Sequence, residues 1–126
     1  MAEQGPHAAV PLTIVAGATP ALREASIQAL LAHNRAARVA VLLEGLPSEK
    51  TPLEEAAGRR IVRTAPGCLC CVGNLVMRVQ LNRLLRDKPE CIYIGIASAE
   101  HLESLQTLLC TPEYRAVLLC KEPILL

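Results

Sequence analysis

The chain has 126 residues, 52% of them apolar, although it contains neither phenylalanine nor tryptophan. This length supports one domain with its own core, and a net charge of +1 with interspersed acids and bases excludes the basic surface expected of a protein that binds nucleic acid or an anionic membrane. The sequence shows neither a secretory signal nor an apolar run of membrane-spanning length, so we expect a cytoplasmic protein with reduced thiols.

The first third of the chain predicts a strand, a helix and a second strand. Residues 1–8 have little periodicity and are expected to form a flexible tail, whereas residues 10–16 are an apolar run typical of a buried strand. Residues 19–34 predict a helix, because a threonine N-cap is followed by proline at the first helical position. Residues 38–43 predict the second strand. The expected inward stripe of the helix is Leu22, Ser26, Ala29 and Leu30, with Ile27 and Leu31 alongside.

The remainder of the chain continues the alternation of strands and helices. Residues 44–58 are a polar connection in which Thr51 predicts the cap of one helical turn. Further strands are predicted at residues 60–63, 91–96 and 115–120, and further helices at residues 74–88 and 98–111. This order implies right-handed crossovers. The predicted fold class is therefore α/β, with an open, mainly parallel sheet that carries helices on both faces of a single domain.

Half of the cysteines fall within four residues, at Cys68, Cys70 and Cys71. Three thiols this close can present three sulfur ligands to a single Zn²⁺ ion, and Gly67 after Pro66 provides a turn that lets them converge. The alternative interpretation is a buried turn, because free cysteine is among the most buried residue types. A thiol redox switch is a weaker alternative, since the spacing is not the Cys-x-x-Cys of thioredoxin-like proteins.

In its order of strands, turn and cysteine motif, the chain resembles the nucleotide-binding domain of the CobW-type metallochaperone GTPases. The resemblance rests on residues 10–17, on residues 38–42, on the Cys-x-Cys-Cys motif in Gly67-Cys68-Leu69-Cys70-Cys71, and on Asn74-Leu75-Val76, where the family usually has Asp-Leu-Val. It covers nearly the whole chain, without the family's C-terminal domain. The resemblance implies a P-loop-NTPase-like fold and a metal site at the three cysteines.

The loop after the first strand departs from the family's phosphate-binding motif. That motif needs Gly-x-x-x-x-Gly-Lys-Ser/Thr, in which backbone N–H groups wrap the phosphates, lysine reaches them and a hydroxyl holds Mg²⁺. Only Gly17 remains, because Leu22, Arg23 and Glu24 stand where the second glycine, the lysine and the hydroxyl residue belong. Pro20 removes one further N–H donor. This degenerate loop predicts that neither GTP nor Mg²⁺ binds.

Two other nucleotide elements of the family are also missing. The family has Glu-Thr-Ser/Thr-Gly where this chain has Gly95-Ile96-Ala97-Ser98, and no asparagine is followed by lysine, as the guanine-reading Asn-Lys-x-Asp motif requires. Loss of all three elements is what a degenerate, non-hydrolysing relative would show.

Other candidate ligands lie outside the cysteine motif. His101 follows the carboxyl end of a predicted strand, next to Glu100, and is the candidate fourth zinc ligand. The alternative is an exposed polar residue in the first turn of a helix. Cys91, Cys110 and Cys120 are expected to be structural thiols.

Three functions therefore remain. The first is a zinc-binding pseudo-GTPase that senses the ion or hands it to a recipient protein, the second is an interaction scaffold without a metal, and the third is a GTP-binding metallochaperone. The substitutions in the loop argue against the third. Because residues 115–120 predict an open hydrophobic edge strand, we also expect a homodimer.

Overall fold

A computed structural model describes residues 9–45, 53–64 and 75–126 of the chain. They form one domain with an α/β fold. Its strands are β1 (Val10–Ala16), β2 (Val39–Glu44), β3 (Arg59–Thr64), β4 (Cys91–Ile96), β5 (Leu118–Cys120) and β6 (Ile124–Leu125). Its helices are α1 (Pro20–Ala32), α2 (Leu75–Arg86), α3 (Leu102–Leu109) and α4 (Pro112–Arg115).

The strands form one open sheet in the order β3-β2-β4-β1-β5, and β6 pairs with the carboxyl-terminal end of β1. Every pair of strands in this sheet is parallel. The predicted fold class is confirmed, and the strand order is compatible with a P-loop-NTPase-like fold. Because the strands are parallel, the loops after β1, β2, β3 and β4 all leave from the carboxyl ends of the strands.

Helices cover both faces of the sheet, as the sequence predicts. On one face, Ile27 and Leu31 of α1 lie in an apolar cluster with Val15 and Val41. On the other face, α2, α3 and α4 bury a larger cluster that includes Met77, Leu81, Leu105 and Tyr114. Alternate residues of the strands enter the two clusters, which is the pattern of a sheet buried on both sides.

The carboxyl-terminal third differs from the prediction of one strand over residues 115–120. Thr111 and Pro112 do break the preceding helix, but they also start α4, because proline suits the first position of a new helix. The strand β5 is therefore shorter than predicted, and β6 was not predicted. Between β2 and β3, residues 53–58 contain a turn and no helix.

Several sequence predictions fall outside the described residues. They are the tail over residues 1–8, the Thr51 cap, and the motif that contains Cys68, Cys70 and Cys71. In the part of the chain that the structure describes, no helix is long and apolar enough to cross a membrane.

Candidate functional site

The loop that follows β1 is the element that the resemblance marks as a nucleotide site. It consists of Gly17, Ala18 and Thr19, and α1 begins at Pro20. Gly17 and Ala18 both have positive φ values, 96° and 61°, so the backbone turns sharply from the strand into the helix. The loop therefore lies at the carboxyl ends of the strands, which is where ligands bind in open α/β folds.

Arg23 of α1 turns back into this loop and is only 3% exposed. Its Nη1 atom donates to the carbonyl oxygens of Gly17 at 3.0 Å and Ala18 at 2.7 Å, and its Nη2 atom donates to the carbonyl oxygen of Glu44 at 3.4 Å. One guanidinium thus ties the end of β1 to the end of β2. Burial lowers the pKa of Arg23 below its usual value, and the carboxylates of Glu44 and Glu24 oppose that shift.

Glu24, the next residue of α1, is also 3% exposed and pairs with a distant arginine. Its two carboxylate oxygens accept hydrogen bonds from the two Nη atoms of Arg63 at 2.6 and 3.0 Å. Oε1 also accepts a bond from the backbone N–H of Leu53 at 3.3 Å, and Arg63 donates to the carbonyl oxygen of Leu53 at 2.8 Å. The negative charge of Glu24 is therefore neutralised within the protein.

A third buried charge lies at the end of β2. The carboxylate of Glu44, a residue that is 4% exposed, accepts a hydrogen bond from the backbone N–H of Ala97 at 2.7 Å. Ala97 directly follows β4, so Glu44 joins the ends of two neighbouring strands. We refer to Arg23, Glu24, Glu44 and Arg63 together as the internal ion network.

Two N–H groups at the start of α1 are also engaged in hydrogen bonds. The N–H of Leu22 donates to the side-chain oxygen of Thr19 at 3.2 Å, and the N–H of Arg23 donates to the Thr19 carbonyl oxygen at 3.0 Å. Pro20 has no N–H. Leu22, expected on the inward stripe, instead points outward with 59% of its surface exposed.

Leu126 lies beside Gly17. The N–H of Leu126 donates to the carbonyl oxygen of Ala16 at 2.9 Å. A Cβ atom placed on Gly17 would approach the carbonyl oxygen of Leu126 to 3.0 Å, which is closer than side chains normally come. The β1–α1 loop is thus bordered by α1, by β2 and by the segment that continues β6.

Two members of the internal ion network, Glu44 and Arg63, are not predicted from the sequence. Glu44 has a recognisable signal, because it is an acid placed directly at the end of a buried apolar strand. Arg63 has none, since its partner lies 39 residues away and local periodicity carries no information about so distant a contact.

The predicted metal ligands can be placed only in part. Cys68, Cys70 and Cys71 lie outside the described residues, in the connection between β3 and α2. His101 ends a short 3₁₀ turn, Ala99–His101, that follows β4. Within residues 9–45, 53–64 and 75–126, no group of three or more His, Cys, Asp or Glu side chains is arranged to hold a metal ion.

The three remaining cysteines have different surroundings. Cys91 is buried in β4, and its sulfur accepts a hydrogen bond from the side-chain amide of Asn34 at 3.2 Å. Burial raises the pKa of this thiol. Cys110 and Cys120 are exposed, so the expectation of an apolar structural thiol fits Cys91 alone.

Comparison with known proteins identifies no relative. No protein-family model, no curated protein and no solved structure matches this chain.

Proposed function

We propose that this protein is a metal-binding pseudo-GTPase: a nucleotide-binding type of α/β domain that does not bind GTP and that holds Zn²⁺ at Cys68, Cys70 and Cys71. The observation that carries the proposal is the position of Arg23. Its guanidinium fills the β1–α1 loop and bonds to the carbonyl oxygens of Gly17 and Ala18. A phosphate-binding loop instead directs backbone N–H groups at its ligand.

The hydrogen-bond donors near the loop support this interpretation. A phosphate group has only acceptor oxygens at neutral pH, so it needs donors that no protein group already uses. Here the guanidinium of Arg23 already donates to carbonyl oxygens. The N–H groups of Leu22 and Arg23 already donate to Thr19, and Pro20 has no N–H. A phosphate group at these donors would have to displace their present acceptors.

The position of the missing Mg²⁺ ligand argues in the same direction. Glu24 stands where a P-loop has a neutral hydroxyl, and both of its carboxylate oxygens are bonded to Arg63. Releasing Glu24 for a metal ion would leave Arg63 without the anion that compensates its charge. The internal ion network therefore replaces the contacts that a nucleotide and its Mg²⁺ would supply.

The metal part of the proposal rests on donor chemistry and chain order. Three thiolates suit Zn²⁺, and three protein ligands leave a fourth position open for water, for another side chain or for a ligand from a recipient protein. The cysteine motif follows Thr64 at the carboxyl end of β3, and His101 follows the carboxyl end of β4. Since β2 separates β3 from β4, those two strands are about 10 Å apart.

An open coordination position suits transfer of the ion better than permanent structural binding. A closed zinc site with four protein ligands holds its metal as part of the fold, whereas an exchangeable ligand lets the metal move to another protein. We therefore infer that the partner is a metal-recipient protein in the cytoplasm, where the thiols stay reduced.

Zinc retention by purified protein tests this proposal. We expect wild-type protein without an affinity tag to retain about one zinc ion per chain against a competing chelator at neutral pH. The Cys70→Ser variant should lose the ion and still fold, because the two apolar clusters of the described residues supply a core of their own. Retention should weaken as the pH falls, because thiolates must be deprotonated to bind.

Cys110→Ser is the matched control, since Cys110 is an exposed cysteine outside the motif. It should retain as much zinc as the wild type. Equal zinc contents in the wild type and in Cys70→Ser would refute the metal site and favour the interpretation of the cysteines as turn residues.

An interaction scaffold without a metal is the second candidate, and one observation favours it. At the β5 edge of the sheet, Leu119 is 53% exposed and Leu125 of β6 is 62% exposed. An edge strand with exposed apolar side chains offers unpaired backbone groups and apolar surface with which another chain can pair. Under this candidate the protein would associate through its edge and would bind no zinc.

A further inference from the structure

A cavity of about 310 Å³ opens at the amino ends of the strands, on the opposite side of the sheet from the β1–α1 loop. It lies where β2 and β3 begin and where the chain enters β4, so it is separate from the internal ion network. Its charged lining residues are Arg38, Arg59, Arg60, Glu55 and Asp87. The volume is at the lower end of the range for small-molecule sites in proteins.

Both acids in this lining already have protein partners. Asp87 forms an ion pair with Arg60, with 2.8 Å between Oδ2 and Nη1. Glu55 accepts a hydrogen bond from the backbone N–H of Ile61 at 3.1 Å through its Oε2 atom. The negative charge at the cavity is therefore partly compensated before any ligand arrives.

The guanidinium groups of the other two arginines retain donors. Arg38 uses its Nε atom to donate to the carbonyl oxygen of Lys88 at 3.0 Å, and its two Nη atoms have no acceptor among the described residues. The side chain of Arg59 has no hydrogen-bond partner in the described part of the chain, although the residue is half-buried. Arg38 and Arg59 both line the cavity, and their backbones are neighbours, because Arg59 pairs with Val39, the residue that follows Arg38.

The wall of the cavity around Gly58 is closely packed. Gly58 has a φ value of 77°, and a Cβ atom on this residue would collide with the carbonyl oxygen of Ala37. The carbonyl oxygen of Gly58 also accepts a hydrogen bond from the N–H of Val39 at 2.7 Å. These contacts fix the starts of β2 and β3 relative to each other, and thus the positions of the backbones that carry Arg38 and Arg59.

We propose that this cavity binds the phosphate group of a small phosphorylated molecule. A phosphate monoester carries a charge of about −1.5 to −2 at neutral pH and has three acceptor oxygens. Two arginines with free Nη donors match such a group, since guanidinium binds phosphate oxygens through paired charge-assisted hydrogen bonds. A single carboxylate would need only one of the two arginines.

Nuclear magnetic resonance titration of the full chain tests the proposal, with inorganic phosphate and glycerol 3-phosphate as probes. We expect saturable shifts of the amides of Ala56, Gly58 and Arg59, with a dissociation constant of about 1 mM or below. Arg59→Gln should weaken binding about 10-fold or more, because a charge-assisted hydrogen bond is lost. Tighter binding of glycerol 3-phosphate would identify the ligand as a phosphorylated organic molecule, and equal binding would identify it as free phosphate.

Arg115→Gln is the matched control, because Arg115 is an exposed arginine of α4 that does not line the cavity. It should bind both probes as the wild type does. Arg38→Gln provides a second test if Arg59→Gln fails to fold. Unchanged binding by a folded Arg59→Gln or Arg38→Gln variant, an equal loss in Arg115→Gln, or the absence of saturable binding would each overturn the proposal.

Discussion

Glu24 and Arg63 lie 39 residues apart in the chain and form a two-point ion pair, with distances of 2.6 and 3.0 Å. The side chain of Glu24 is 4% exposed and that of Arg63 is 15% exposed. The pair links α1, near its start, to the end of the edge strand β3. Glu24, which stands at the hydroxyl position of the P-loop motif, therefore stabilises the fold.

Breaking this pair should destabilise the protein. We expect Glu24→Gln to lower the free energy of unfolding by about 3 kcal/mol, because Arg63 would keep its charge in a largely buried position without a compensating anion. Denaturant unfolding followed by circular dichroism measures this change. The control is Arg60→Gln, which removes an ion pair whose two side chains are about half exposed. That loss should stay below about 1 kcal/mol.

Replacing both partners distinguishes the pair from its separate residues. The double variant Glu24→Gln, Arg63→Met should be more stable than the sum of the two single losses predicts, because neither charge is then left uncompensated. Additive losses would show that the two side chains contribute independently, contrary to the contact described here.

Local pattern in the sequence predicts the first four strands of the sheet well, β5 only in part and β6 not at all. The bounds of β1 and β4 agree with the prediction, because each is a continuous apolar run bounded by turn residues. The inward face of α1 was predicted less well. Arg23 and Glu24 are buried and Leu22 is exposed, because the two charged residues find partners on β2 and β3 that helical periodicity cannot reveal.

Stability should decrease at alkaline pH. Burial raises the pKa of Cys91 above its ordinary value of 9.0 and also raises that of Tyr114, so the folded state keeps protons that the unfolded state has already lost. The stabilisation is full below the unfolded pKa and disappears as the pH rises through the folded one. Urea unfolding between pH 8 and about 10.5 should therefore show a falling free energy of unfolding.

Cys91→Ala should make this alkaline decrease shallower, since one of the protons that the folded state retains no longer contributes. Val79→Ala serves as the control, because Val79 is exposed and has no ionisable group. A pH dependence that is identical in the wild type and in Cys91→Ala would show that the Cys91 thiol has the same pKa in both states.

The β5 edge should mediate self-association. In the described residues β5 and β6 pair only with β1, and Leu119 is 53% exposed beside this edge. We expect light scattering to return a dimer for the wild type and a monomer for Leu119→Glu, because burying a charge at the interface opposes association. Val79→Glu, on the exposed side of α2, should remain dimeric. A monomeric wild type at high concentration, or a dimeric Leu119→Glu, would contradict this prediction.

The clustering of arginines at one cavity could not be predicted from composition alone. Acids and bases alternate along the sequence, yet folding brings Arg38, Arg59 and Arg60 to one cavity. Arg38 directly precedes β2, whereas Arg59 and Arg60 begin β3, and the pairing of the two strands brings them to one cavity. The cysteine motif is the opposite case, because its prediction rests on spacing within four residues and needs no tertiary contact.

In the proposed pseudo-GTPase, Arg23 and its neighbours take the place of a nucleotide. Calorimetric titration of the full chain with GTP and Mg²⁺ measures this. We predict no saturable heat at micromolar concentrations, because the loop carbonyl oxygens of Gly17 and Ala18 are bonded to Arg23 and Glu24 is bonded to Arg63. A saturable one-to-one isotherm in the micromolar range would contradict the claim and, with it, the assignment of the protein as a pseudo-GTPase.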